Sequence, residues 1–81
     1  MEDLEKEVAR LTERAKQLQP WQQRIVIEAD DLMKRTEALH DFIDQGQPSH
    51  IDDDEWERLR MQCNAMSIYF HFLFTRIQNF K

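Results

Sequence analysis

Residues 56–80 read WERLRMQCNAMSIYFHFLFTRIQNF, and the spacing of their apolar side chains decides the fold class. Trp56, Leu59, Cys63, Met66, Phe70, Leu73, Ile77 and Phe80 follow one another at alternating intervals of three and four. That is the seam of a helix packed along another helix. Ile68, Tyr69, Phe72 and Phe74 fall off the seam, so the helix is apolar on more faces than one partner can cover. The stretch therefore predicts a helix buried on several sides, and with it self-association.

Working upstream, Leu4, Leu11, Leu18, Ile25, Leu32 and Leu39 recur every seven residues, and Met1, Val8, Ala15, Gln22, Ala29, Thr36 and Ile43 lie midway between them. The two series keep one heptad phase from residue 1 to 43. Pro20 interrupts it chemically, because proline has no amide hydrogen and restricts the residue before it. Two readings stay open, with the second favoured. Either one long helix kinks near Pro20, or a short helix ends near residue 18 and a second begins with Pro20 in its first turn. The unbroken phase predicts that the two segments stay roughly collinear.

Gly46 is the single glycine and follows the last periodic residues, where a left-handed helix cap is expected. Asp52 is a suitable N-cap for the next helix, with Glu55 placed to complete a capping box. The expected architecture is all-α. It is a coiled-coil-like antiparallel hairpin over residues 20–81 with its turn at 46–51, preceded by a helical arm over 1–18. Pairing about residue 49 sets Phe42 against Trp56, Ala29 against Tyr69 and Gln22 against Arg76. The last helix then reaches back only to about residue 18. The arm has no partner in its own chain, so it is expected to pair with another subunit.

Composition narrows the function classes. With 81 residues the chain is one small domain, and a single-layer hairpin of that size buries little core, a deficit that oligomerisation makes up. One cysteine allows no internal disulfide and fits a reduced, cytoplasmic setting. Cys63 lies on the seam and reads as a small buried apolar group. No membrane-span or signal-peptide pattern is present. The net charge of −5 argues against direct nucleic-acid binding. The acid excess lies in residues 20–57. After Glu57 the only charged side chains are Arg58, Arg60, Arg76 and Lys81, which complements the helix dipole and also leaves a local cationic surface. His40, His50 and His71 are not at metal-ligand spacing, and there is no phosphate loop, nucleophile elbow or zinc pattern. No enzyme, metal or cofactor is expected.

The heptad lettering separates two flanks of the hairpin. One carries Val26, Met33 and His40 with Arg60, Ser67 and Phe74, and is apolar. Leu4, Leu11, Val26, Met33, Ile68, Phe72 and Phe74 are accordingly the expected oligomer interface. The other flank carries Trp21, Glu28, Arg35 and Phe42 facing Gln62, Tyr69 and Arg76, with Trp21 expected to meet Arg76 and Glu28 to meet Tyr69. Aromatic rings beside guanidinium groups suit a nucleobase with its phosphates, although such contacts are also ordinary flank packing. Trp21, Arg24, Arg35, Tyr69 and Arg76 are the candidate ligand-binding residues.

Two segments carry a family resemblance: Arg24-Ile25, Glu28, Asp31-Leu32, Leu39 and Phe42-Ile43, and then Leu59, Gln62, Met66, Tyr69, Leu73 and Arg76-Ile77. Together they resemble short helical-hairpin proteins of the crAss-like-phage-related type, over roughly residues 22–80. The arm lies outside that pattern. The architecture is similar to the phage sponges of anti-CBASS and anti-Thoeris type. The resemblance implies an anti-defence protein in the cytoplasm of an infected bacterial host. Such a protein is a homo-oligomer that sequesters a cyclic nucleotide-type immune signal where hairpins meet, without cleaving it. The alternative is a small oligomeric inhibitor or adaptor that binds a host protein through its arm or acidic surface. A third reading is a purely structural assembly protein.

Overall fold

The computed structural model describes residues 2–14 and 17–80, leaving aside the side chains of 2, 11, 12 and 14. Three helices follow one another: α1 (Glu2–Arg14), α2 (Pro20–Asp44) and α3 (Asp53–Gln78). The elements among the described residues are all helical. α2 and α3 pack along their length, as the two seams predict, and the ring of Phe42 sits 6.0 Å from that of Trp56 at the closed end.

Local chemistry sets each boundary. Pro20 occupies the first position of α2, so no amide there can continue a helix from upstream. The Gln19 amide donates to Gln22 Oε1 at 3.0 Å, and Gln23 Nε2 donates to the Leu18 carbonyl at 2.8 Å. These bonds engage polar groups that a helix start otherwise leaves unpaired. At the other end of α2, Gly46 takes φ +92° and donates its amide to the Ile43 carbonyl at 3.0 Å. Within the turn, Gln47 Nε2 donates to the Ile51 carbonyl and to Asp53 Oδ1, both at 2.9 Å. Asp52 caps α3, its Oδ1 accepting from the Glu55 amide at 2.8 Å. Asp53, Asp54 and Glu55 fill the first turn and Arg76 the last, each complementing the helix dipole.

The course of α1 departs from the expectation. α1 does not continue the line of α2. It folds back along the hairpin, and Leu4 comes to lie beside Met33 and Thr36. The principal extents are 48 × 20 × 15 Å, whereas 43 collinear helical residues would span about 65 Å. The heptad phase persists across Pro20, but phase fixes only which side of a helix is apolar. The reversal between Arg14 and Pro20 fixes its direction.

This placement completes the core. Val8 (3% exposed) joins Val26 (1%), Ala29, Met33 (4%), Phe70, Leu73 and Ile77 in one buried cluster. Leu4, Leu18, Ile25, Leu32, Phe74 and Phe80 pack around it. Burial of each large aliphatic side chain contributes about 1.5–3 kcal/mol. Val26, Met33, Phe74 and Leu4, expected at a subunit interface, are thus covered within the chain. The apolar flank, expected as a subunit interface, is covered within the single chain by α1. Leu11, expected at the same interface, has its side chain outside the described residues. The buried Thr36 hydroxyl is satisfied locally, Oγ1 donating to the Leu32 carbonyl at 2.7 Å. Cys63 is buried and unpaired with any other cysteine.

Candidate functional site

With α1 on one flank of the hairpin, the opposite flank is left open. It forms a surface groove of about 450 Å³ lined by Arg24, Ile27, Glu28, Asp31, Leu32, Arg35 and Tyr69. α2 supplies all of these except Tyr69, which α3 holds half-exposed against the groove. Arg24, Glu28, Asp31 and Arg35 follow at intervals of four, three and four, so one helix face presents them in a line. The two arginines stand about 16 Å apart along the helix axis, with two carboxylates between them. Leu32 and Ile27 give the groove an apolar floor and edge, on which the Tyr69 phenol adds a flat, half-solvated surface.

The state of the charges matters more than their number. Arg10 pairs with Glu7 at 3.2 Å, Lys34 with Asp30 at 2.9 Å, and Arg58 with Glu55 and Arg60 with Glu57 at 3.5 Å each. Arg24, Arg35 and Arg76 form no ion pair among the described residues. Their guanidinium donors stay available to a planar oxyanion, which an Arg fork grips in two places. Glu28 and Asp31 likewise form no close ion pair among the described residues, and as acceptors only they suit hydroxyl or amine donors of a ligand.

Of the five expected site residues, the groove gathers three: Arg24, Arg35 and Tyr69. Trp21 lies outside it. Its ring stands edge-on to Phe80, centroids 5.5 Å apart at 69°, closing the open end of the hairpin. Arg76 does not line the groove either, though it lies two helical turns beyond Tyr69 on the same flank of α3. The sequence reading placed Glu28 on this flank but did not count it, Ile27, Asp31 or Leu32 among the ligand-binding residues. The unbroken line Arg24–Glu28–Asp31–Arg35 was the available signal, although charges at this spacing also make an ordinary solvated helix face.

A second cavity of about 420 Å³ opens beside α1, lined by Leu4, Met33, Phe70, His71 and Phe74 among others. Its exposed lining is mostly apolar, and no Asp, Glu, Lys or Arg among the described residues lines it. Elsewhere, His40, Asp41 and Asp44 bring three potential ligand atoms within 4.8 Å of one another, all exposed, with His40 Nδ1 3.2 Å from Asp44 Oδ2. Exposed groups of this kind are common at helix ends, and nothing further at that place points to an ion.

A family model described as Sequestin matches residues 19–79. The matched range begins at the residue that caps α2 and ends at the residue that follows α3. It therefore covers both walls of the groove and leaves α1 outside. Neither a curated protein nor a solved structure matches the chain.

Proposed function

The chain belongs to the Sequestin family, and from that membership we propose that it sequesters a cyclic nucleotide-type immune signalling molecule in the α2–α3 groove, holding it without cleaving it. The family's name speaks of sequestering. The identity of what is held is our reading of the groove, together with the likeness to phage sponges. In this reading the protein is a phage-encoded homo-oligomer acting in the cytoplasm of an infected bacterium. One observation carries the ligand class: two unpaired arginines flank an exposed tyrosine in a single groove. Tyr69 stacks on a base, Arg24 and Arg35 grip phosphate oxygens, and Glu28 and Asp31 accept hydrogen bonds from ribose hydroxyls.

The test is calorimetric titration of the purified protein with cyclic dinucleotides, cyclic trinucleotides and cyclic ADP-ribose isomers. Bound ligand is then recovered by denaturing the protein. Binding of at least one member, recovered chemically intact, is expected. Flat titrations throughout, or recovery of a cleaved product, would sink the proposal. Arg24→Ala and Arg35→Ala should each weaken binding by about tenfold or more, the loss of a charge-assisted hydrogen bond being worth about 1.5–3 kcal/mol. Both positions are exposed, so circular dichroism should show an unchanged fold.

A further inference from the structure

α3 carries a second apolar stripe that none of the described residues covers. Residues 61–75 contain no Asp, Glu, Lys or Arg, so this part of the helix is uncharged, His71 apart, on its solvent side as well as its core side. Met61, Ile68 and Phe72 are 60%, 60% and 61% exposed, and Ala65 lies between them. Positions 61, 65, 68 and 72 are spaced four, three and four apart, the interval of a helix–helix seam. They fall nearly opposite the stripe of Cys63, Phe70, Leu73 and Ile77 that α3 buries against α2. Three large apolar side chains in one solvent-facing line form the kind of contiguous patch that marks an association surface.

We propose that this stripe packs antiparallel against the same stripe of a second copy of the chain, α3 on α3, about a two-fold axis passing between residues 66 and 67. The inference rests on the homo-oligomeric part of the proposed function and is independent of the ligand.

Two features select this occupant and this direction. The first is shape. In the antiparallel register Ala65 faces the partner's Ile68 and Met61 faces the partner's Phe72, each pairing repeated by symmetry. A small side chain thus meets a branched one, and a flexible one meets a ring. The second is charge. α3 begins with Asp53, Asp54, Glu55 and Glu57 and ends with Arg76. Antiparallel packing lays the acidic first turn of each copy along the basic last turn of the other. Parallel packing would oppose acid to acid and base to base. Glu55 and Arg76 are three heptads apart, so they lie on one flank of the stripe. Like flanks meet in an antiparallel pair, so each Arg76 reaches the partner's Glu55. Such a two-fold contact is isologous and closes on itself, giving a discrete dimer.

Sedimentation equilibrium of the full chain, free of ligand, tests the contact. The wild type is expected to exceed the monomer mass. Ile68→Asp should sediment as a monomer with unchanged helical circular dichroism, because residue 68 is exposed in the single chain. A monomeric wild type, or an Ile68→Asp variant with the wild-type mass, would overturn the proposal. The register has its own test. Glu55→Arg and Arg76→Glu should each raise the dimer dissociation constant about tenfold, since each change makes two repulsive pairs per dimer. The double variant should return it close to the wild-type value. A double variant no tighter than the singles would overturn the antiparallel register. Ligand titration is a separate measurement, so a monomer that still binds, or a dimer that does not, assigns the failure to the right claim.

Discussion

Glu37 shows how one side chain links folding to pH. It is half-buried on α2, and its Oε1 is shielded from solvent with no hydrogen-bond partner among the described residues. Burial raises its pKa above the ordinary carboxylate value, and the neighbouring Glu5 of α1 and the charge of Asp41 push it the same way. The folded state therefore holds this proton more tightly than the unfolded chain does. The contribution to stability is fully present at acidic pH, below the ordinary carboxylate pKa. It is lost as pH rises through the raised folded value. Glu37→Gln keeps the shape and removes the charge. Its urea midpoint should exceed that of the wild type at neutral pH and vary less across the acidic-to-neutral range. Parallel pH profiles for the two proteins would refute this assignment. The sequence showed an acid between Thr36 and Ala38. The sequence also placed Asp41 one helical turn away, but the return of α1 is what brings Glu5 alongside.

Among the connecting elements, the α2–α3 turn was the most legible before any fold was known. Its single glycine, its Asp cap and the aromatic pair Phe42 and Trp56 are all local in chain distance, and all take the expected places. Gly46 sits at φ +92°, a backbone region that costs an L-residue roughly 1–2 kcal/mol. A Cβ there would meet no atom within 4 Å. Gly46→Ala should therefore lose about that much stability through backbone strain alone, read as a lower denaturant midpoint with an unchanged m-value. No loss would mean that the turn relaxes to another conformation. The α1–α2 connection was less legible. Pro20 marked a boundary, but a boundary residue does not state the angle of the chain across it.

For the molecule as a whole, the return of α1 redistributes the surfaces. An arm expected to reach a neighbouring subunit instead covers Val26 and Met33 at home, while the outer stripe of α3 stays exposed. It also bears on the adaptor reading, because an arm packed on its own hairpin must detach before it can hold a host protein by its apolar face. Val8→Asp tests the packing. A charge at a position 3% exposed costs several kcal/mol, on the order expected for an unpaired buried ion, so α1 should undock. Rapid proteolysis within residues 1–18, with the 20–80 hairpin surviving longer, is the expected outcome. Unchanged resistance would place Val8 outside the core.

Helical class, the two seams, the turn and the existence of one apolar and one polar flank follow from the order of residues, because each depends on interactions within a few helical turns. The line Arg24–Glu28–Asp31–Arg35 belongs with them, as does the uncharged run 61–75. The partners across space do not. Heptad phase is blind to direction, so it could not say whether α1 would extend away or fold back. Nor could flank lettering say that Trp21 would close on Phe80 while Tyr69 stayed open to the groove. Those outcomes depend on which apolar surfaces meet once α1 lies back along the hairpin, a long-range competition for burial that no local pattern encodes.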